Sequence, residues 1–203
     1  MFDLLKDLDA EIKKNKLPTA LKKPFVATSG FDVLDIMNGT KDPETGEVIA
    51  GFSSKIIGFI GKSGSGKTTL AIQVANNLCH DDEGKLIPNA AIFHYDTEGS
   101  TEVPRIKVLT RKTQAELDKY YRLMNDNKVN TENLYTIIDM VATKKEEHRD
   151  QIMVTVTDRN GAKHEVLPPT VILIDSIAAL NTSKENDADD LPGNMNAAHN
   201  AKA

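Results

Sequence analysis

Apolar residues recur along the chain in two patterns, and each pattern predicts a different element. Continuous apolar runs rich in β-branched residues are typical of buried strands. The sequence has four such runs, at residues 56–60, 90–95, 134–140 and 170–175. A spacing of three or four, typical of amphipathic helices, marks residues 1–16, 31–37, 69–75 and 114–125. Strands that alternate with helices predict an α/β fold with a mostly parallel central sheet flanked by helices.

Two local breaks refine this picture. Asn160-Gly161 separates residues 151–157 from residues 163–167, and Asn-Gly favours two-residue hairpin turns, so a small inserted β-hairpin is expected. Prolines near the start divide the chain into an amphipathic helix with its linker, residues 1–24, and a core, residues 25–203. The apolar stripe of that first helix is expected to be buried either on its own domain or on a neighbouring subunit.

Residues 61–68 lie between a predicted strand and a predicted helix and match the phosphate-binding pattern G-x-x-x-x-G-K-[ST] in full. Backbone N–H groups at the start of a helix can wrap an anionic phosphate chain, and the glycines let the main chain approach closely. Lys67 is predicted to contact the β- and γ-phosphates, Thr68 to ligate Mg²⁺, and Thr69 to assist at the α-phosphate. The alternative is a Gly/Ser-rich surface turn, which the complete motif in this context disfavours. The predicted nucleotide contacts are Gly61, Lys62, Ser63, Gly64, Ser65, Gly66, Lys67, Thr68 and Thr69.

Acidic residues follow two of the predicted strands, at the end where ligands of open α/β sheets bind. Asp175 ends the run 170–175 and is predicted to hold Mg²⁺ beside Thr68. Glu98 follows the run 90–95 and is the candidate general base that would activate water for attack on the γ-phosphate. Asp96 is either a helix-capping or a structural acid, and Asp96-Thr97-Glu98 also fits an ordinary helix cap. With ATP and Mg²⁺ as cofactors, Glu98 and Lys67 are the predicted catalytic residues.

Length, net charge and residue composition disfavour several classes of protein. The 203 residues suffice for one domain with a sizeable core, and no apolar run reaches the ~18 residues of a membrane span. The net charge of −5 weighs against broad nucleic-acid binding through surface lysines and arginines. Cys79 is the one cysteine and is expected to be a small buried residue rather than a nucleophile. The five histidines have no metal-ligand spacing, so no metal beyond Mg²⁺ is predicted.

The motifs together resemble one family. Thr28-Ser29-Gly30 with Leu34-Asp35, the run 61–68, Tyr95-Asp96-Thr97-Glu98 and the run 172–180 occur in the order and approximate spacing of the RecA-type recombinase ATPase core. The resemblance covers residues 25–203 and is closest to bacteriophage strand-exchange recombinases of the UvsX kind. It implies a RecA-like P-loop NTPase fold and a DNA-dependent ATPase that converts ATP to ADP and phosphate. It also implies a helical filament on single-stranded DNA that pairs with homologous duplex DNA in recombination and repair, in a bacterium or a phage-infected bacterial host. The lack of an apolar span and of a signal-peptide h-region at the N-terminus predicts a cytoplasmic protein with no membrane partner.

Carried over to this sequence, the resemblance places Lys67 and Thr68 at phosphate and Mg²⁺, and Glu98 at the base position. It assigns Asp175 and Ser176 to the Mg²⁺ and water site. Residues 181–200 would align with the first DNA-binding loop and the helix after it, although this stretch carries four acids and only Lys184. The N-terminal helix would dock on an adjacent protomer.

The family's sheet contains a further strand between the P-loop strand and the Asp175 strand. We therefore expect these residues to be the N-terminal part of a longer polypeptide, because two buried strands would otherwise lack pairing partners. Two other functions remain open at this point. One is a hexameric helicase motor with the same core, and the other is a nucleotide-binding module without turnover.

Overall fold

The computed structural model describes residues 27–41, 48–49, 51–52, 56–81, 83–125, 130–157 and 163–182, together with Lys14, which is helical. Apart from Lys14, the predicted N-terminal helix and its linker up to residue 24 lie outside the described residues. The turn of the predicted hairpin and all but the first two residues of the predicted DNA-binding stretch 181–200 lie outside them as well.

Single helices or helix pairs alternate with strands or strand groups along the described chain. The helices are α1 (Asp32–Asn38), α2 (Lys67–Leu78), α3 (Val103–Thr110), α4 (Gln114–Leu117), α5 (Thr131–Glu147) and α6 (Arg149–Ile152). The strands are β1 (Thr40–Lys41), β2 (Val48–Ile49), β3 (Ala91–Asp96), β4 (Tyr121–Met124), β5 (Val154–Thr157), β6 (Lys163–Val166) and β7 (Thr170–Asp175). A 3₁₀ turn at Ile177–Ala179 follows β7.

The central sheet is parallel and has the strand order β4–β3–β7. Parallel neighbours need crossover connections, and α3 and α4 connect β3 to β4, while α5, α6 and the β5–β6 pair lie between β4 and β7. The register aligns Asp96 with Asp175 at the carboxyl ends of β3 and β7. The predicted α/β class with a mostly parallel sheet is confirmed, and the two acidic strand ends are neighbours.

Side chains of β3 alternate between two covered faces. Ile92 packs in a buried cluster with Ile72 of α2 and Ile106 of α3. On the opposite face the Tyr95 hydroxyl donates to the carbonyl of Asn133 in α5, at 3.2 Å. Helices therefore cover both sides of the central strand, as parallel sheets require.

The segment before α1 is fixed against the end of α2. The carboxylate of Asp35 is fully buried and accepts hydrogen bonds from Ser29 N (2.8 Å) and Thr28 Oγ1 (2.6 Å). Gly30 has a φ of 77°, and a Cβ there would lie 2.3 Å from Asn77 Nδ2. Only glycine fits this approach, which lets Asn77 Nδ2 donate to the Ser29 carbonyl at 2.7 Å.

The predicted β-hairpin is confirmed by the antiparallel pairing of β5 with β6, in which Val154 lies opposite Val166. The predicted helix at 31–37 is α1, the helix after the P-loop is α2, and the predicted strands at 90–95 and 170–175 are β3 and β7.

The predicted strand at residues 56–60 is wrong for the described structure. The segment has no strand partner among the described residues, and the side chains of Ile56 and Ile60 are 102% and 99% exposed. Its neighbour in the expected topology would be a strand lying between this segment and β7. On the described residues β7 pairs with β3 alone, so the apolar run has no ladder to join.

The predicted strand at residues 134–140 is also wrong, because this run lies within α5. Asn130 caps the helix by accepting a hydrogen bond from Asn133 N at 2.8 Å. Leu134 is buried and Ile137 and Val141 are half-buried, which is helical spacing. The cap and the tertiary contacts outweigh the β-branched composition.

The predicted helix at residues 114–125 is correct only for its first turn. A capping box between Thr113 and Glu116 begins α4, which ends at Leu117. Residues 121–124 form β4 instead, with Tyr121 opposite Ile92 of β3. Pairing with a buried strand therefore decides the conformation of a segment whose local pattern favoured a helix.

Candidate nucleotide-binding site

The P-loop is an exposed loop that leads directly into α2. Gly64 and Gly66 have φ values of 74° and 86°, a left-handed backbone that glycine adopts without strain. Gly66 caps α2 without a side-chain hydrogen bond, so N–H groups of the first turn remain available to an anion. Lys67 Nζ donates to the carbonyl of Lys62 at 2.9 Å. The ammonium group therefore lies over the loop that would receive the phosphates.

Thr68 and Asp175 meet between the first turn of α2 and the end of β7. Thr68 Oγ1 donates to Asp175 Oδ2 at 2.6 Å, although the two residues are 107 positions apart. A hydroxyl and a carboxylate are hard oxygen donors of the kind that Mg²⁺ takes in phosphate-transfer sites. The two residues predicted to hold the ion thus fit it in chemistry and in position.

Glu98 is linked to the same strand end through Ser176. Ser176 Oγ donates to Glu98 Oε1 at 2.9 Å, and the Glu98 side chain is otherwise exposed. The Asp175–Ser176 peptide bond is cis. Because Ser176 directly follows Asp175, the candidate base and the candidate Mg²⁺ ligand belong to one connected group.

Asp96 lies beneath this group and has a structural role. Its carboxylate is buried, and Oδ2 accepts a hydrogen bond from Thr101 N at 2.6 Å, which closes the turn that carries Glu98. The alternatives for Asp96 are thereby resolved in favour of a structural acid.

His94 lies one layer deeper on the same face of β3. Its ring is fully buried, and Nδ1 lies 2.8 Å from the Tyr121 hydroxyl. Burial lowers the pKa of His94 below its usual value, an effect that the carboxylates of Asp96 and Asp175 partly offset. The imidazole is therefore a neutral part of the floor of the site at neutral pH.

Two residues at the site were missed by sequence analysis. Arg105 on α3 donates from Nη2 to Thr69 Oγ1 at 3.0 Å. Thr97 exchanges two hydrogen bonds with the backbone of Ser176, each 2.8 Å long. No motif marks Arg105. Thr97 lies in the run Tyr95-Asp96-Thr97-Glu98, but only the acids of that run suggested chemistry, and the one signal for Thr97 is a hydroxyl side chain directly after a strand that ends at the site.

The two predicted catalytic residues, Lys67 and Glu98, form no hydrogen bond with each other. Lys67 bonds within its own loop, and Glu98 contacts Ser176 rather than a P-loop residue. Within the described part of the chain, no group of three or more His, Cys, Asp or Glu side chains is arranged to hold a metal ion. A Mg²⁺ ion at Thr68 and Asp175 would therefore take its remaining ligands from phosphate and water, as this ion commonly does.

Cys79, at the end of α2, is fully buried, as the sequence predicts. Burial raises the pKa of its thiol to about 12, so the residue is an inert part of the core. Among the described helices, none combines the length and the apolar character needed to cross a bilayer.

Comparison with known proteins places the site in a broader context. A family model described as an AAA domain matches residues 29–201. The matched span contains the P-loop, β3 with Glu98, and β7 with Asp175. No curated protein gives a significant match, and no solved structure does so.

Proposed function

Since the chain belongs to the AAA domain family of P-loop NTPases, we propose that it binds ATP with Mg²⁺ and hydrolyses ATP to ADP and phosphate. The observation that carries this proposal is the 2.6 Å contact between Thr68 and Asp175. It joins the P-loop to the strand end beside which Glu98 is held.

Nucleotide binding would use groups that are already positioned. The N–H groups at the start of α2 would bind phosphate oxygens, and Lys67 would exchange the Lys62 carbonyl for a phosphate oxygen. Thr68 and Asp175 would hold Mg²⁺, which when bound neutralises charge on the β- and γ-phosphates.

Hydrolysis would depend on Glu98. Ser176 Oγ donates a hydrogen bond to Oε1 of this carboxylate, so Oε2 would accept the proton from the attacking water. The water oxygen bonds to the γ-phosphorus as the bond between that phosphorus and the bridging oxygen breaks, and ADP leaves with the electron pair. Ser176 thereby orients the base while Glu98 takes the proton.

We further propose that the ATPase is a DNA-dependent recombinase of the RecA type, closest to the UvsX kind. Support comes from the order of the motifs at residues 28–35, 61–68, 95–98 and 172–180. The partners would be single-stranded DNA and homologous duplex DNA, with self-association into a helical filament. Backbone amides can contribute DNA contacts where the side chains are acidic.

The first test measures ATP turnover and nucleotide affinity of the full chain and four variants. We expect Lys67→Ala to abolish Mg²⁺-dependent ATP binding. Glu98→Gln should leave binding intact and lower kcat by roughly 10²–10⁴-fold, the range for losing a general base. Lys119→Ala and Glu165→Gln, which change exposed residues outside the site, are the matched controls. Turnover by Glu98→Gln at the wild-type rate would contradict the assigned base.

The second test adds single-stranded DNA across a salt series. A DNA-dependent ATPase should be stimulated, and the stimulation should fade as salt rises because phosphate contacts release counterions. Negative-stain images should show filaments on the DNA, whereas closed rings would indicate the hexameric helicase. Binding of ATP without turnover under all conditions would indicate a binding-only module. A rate of ATP turnover that DNA does not change would contradict the recombinase proposal and would still support the ATPase proposal.

A further inference from the structure

We propose that Thr97 is a positioning residue for this site, because its hydroxyl fastens the end of β7 to the end of β3. The inference rests on the proposed function of Glu98 and Asp175 as base and Mg²⁺ ligand. It adds a residue whose hydrogen bonds go to Asp175 and Ser176 at the end of β7.

The backbone ladder between the two strands ends at the pair Asp96 and Asp175. One further backbone bond follows, from Thr97 N to the Asp175 carbonyl at 2.8 Å. Beyond it the chain after β3 turns away, and the Thr97 side chain replaces the missing backbone partner. Its Oγ1 accepts from Ser176 N and donates to the Ser176 carbonyl, both at 2.8 Å.

A threonine suits this role for two physical reasons. A hydroxyl is both a donor and an acceptor, so one side chain can satisfy the N–H and the C=O of the same residue. The branched Cβ restricts χ1, so the hydroxyl is held in place with little loss of side-chain freedom. Without it, two partly buried backbone groups of Ser176 would lose their partners.

The consequence for chemistry passes through Ser176. Holding the backbone of Ser176 in place also fixes the position of its Cβ. From there Ser176 Oγ donates to Glu98 Oε1 at 2.9 Å. Thr97 and Glu98 are adjacent in the chain, so the base is held from both sides. Loosening the bond should therefore misplace Glu98 relative to Asp175 without disturbing the P-loop.

The test compares Thr97→Val, which removes the hydroxyl at nearly constant shape, with Thr97→Ser, which keeps it. We expect Thr97→Val to lower kcat by about 10–100-fold, the scale of an ångström-level misplacement. Affinity for a non-hydrolysable ATP analogue with Mg²⁺ should stay within about twofold of wild type, because the P-loop is unchanged. Thr97→Ser should retain most of kcat. Thr136→Val, at an exposed threonine of α5, is the matched control.

A second readout needs no nucleotide. Amide hydrogen exchange at Ser176 should accelerate in Thr97→Val and remain slow in Thr97→Ser and in the control. In a Glu98→Gln background, adding Thr97→Val should cause little further loss of kcat, since a misplaced base and a missing base remove the same step.

Three outcomes would overturn the proposal: wild-type kcat in Thr97→Val, equal losses of kcat and nucleotide affinity, or unchanged exchange at Ser176. Equal losses would mean that Thr97 only stabilises the fold. Failure of the proposed function is distinguishable, since wild type would then show no turnover or Glu98→Gln would have no effect. The exchange measurement would still decide whether Thr97 fastens the strand ends.

Discussion

Arg105 illustrates how a single residue can add to a motif from a different element. It lies on α3, and its guanidinium donates to Thr69 Oγ1 at 3.0 Å. Thr69 belongs to the first turn of α2 and is predicted to assist at the α-phosphate. The guanidinium therefore lies beside the predicted phosphate site and directs the Thr69 hydroxyl hydrogen away from itself, since that oxygen is already accepting a bond.

We expect Arg105→Ala to weaken ATP and ADP binding by roughly fivefold, because one exposed hydrogen bond contributes about 1 kcal/mol. Equilibrium titration of nucleotide would measure the change. Lys107→Ala removes a positive charge from the same helix and is the control for a general electrostatic effect. Equal losses in both variants would show that charge matters rather than the contact with Thr69.

Helix α5 is the element that sequence patterning described worst, and its cap explains why it forms. The Asn130 side chain accepts from Asn133 N at 2.8 Å, which satisfies one of the free donors of the first turn. Asn130 is itself buried, with 9% of its surface exposed. The start of the helix is therefore fixed outside the apolar run, by the Asn130 cap and by Thr131, whose N and Oγ1 donate to the Asn181 carbonyl at 2.9 and 3.1 Å.

Asn130→Ala should lower the free energy of unfolding by about 1 kcal/mol, the usual effect of losing a helix N-cap. Urea denaturation followed by far-UV circular dichroism would measure it. Asn125→Ala replaces an exposed asparagine beyond the end of β4 and should change stability little. A stability of Asn130→Ala equal to that of wild type would mean that packing and the bonds from Thr131 to the Asn181 carbonyl suffice to hold the start of α5.

Local pattern was sufficient where an element is both regular and bounded by clear signals. The strands β3 and β7, the helix α2 and the β5–β6 pair were predicted for that reason. The runs at 56–60 and 134–140 were both predicted as strands from their apolar residues, yet among the described residues the first has no strand partner and the second is helical. A short apolar run does not distinguish a buried strand from a buried helix, and pairing partners and caps made the difference.

The residues of the candidate site also separate into those that local sequence signals predicted and those that they did not. Lys67, Thr68, Glu98 and Asp175 were predicted because each belongs to a motif or to a strand end with its own chemistry. Arg105 and Thr97 act through hydrogen bonds to residues on other elements. Contacts of that kind depend on three-dimensional placement, which linear spacing does not encode.

The stability of the whole molecule should depend on pH through its buried histidines. Burial lowers the pKa of His94, and burial is also the largest influence lowering that of His80. An unfolded histidine takes up a proton as the pH falls through about 6.5, while the folded state resists protonation. Below that pH the unfolded chain binds more protons than the folded one. The free energy of unfolding is therefore undiminished by the histidines above pH 6.5, and it falls as the pH drops towards their lowered pKa values.

Denaturant midpoints at pH 7.5 and pH 5.5 would measure this difference. We expect a lower midpoint at pH 5.5 for wild type and a smaller gap between the two pH values for His94→Gln, with His80 supplying the remainder. His148→Gln, at an exposed position, should keep the wild-type gap. An unchanged gap in His94→Gln would assign the pH dependence to other groups.

From the bond between Thr68 and Asp175 we also expect an order of events during folding. Its partners are 107 positions apart, and those of the bond between Thr97 and Ser176 are 79 apart. Closing such long loops has an entropic cost that must be met before the contacts form. Helix α2 and the β5–β6 pair need only nearby residues, whereas the site needs β7 in place. During refolding the ability to bind nucleotide should therefore appear last, after β7 has joined the central sheet.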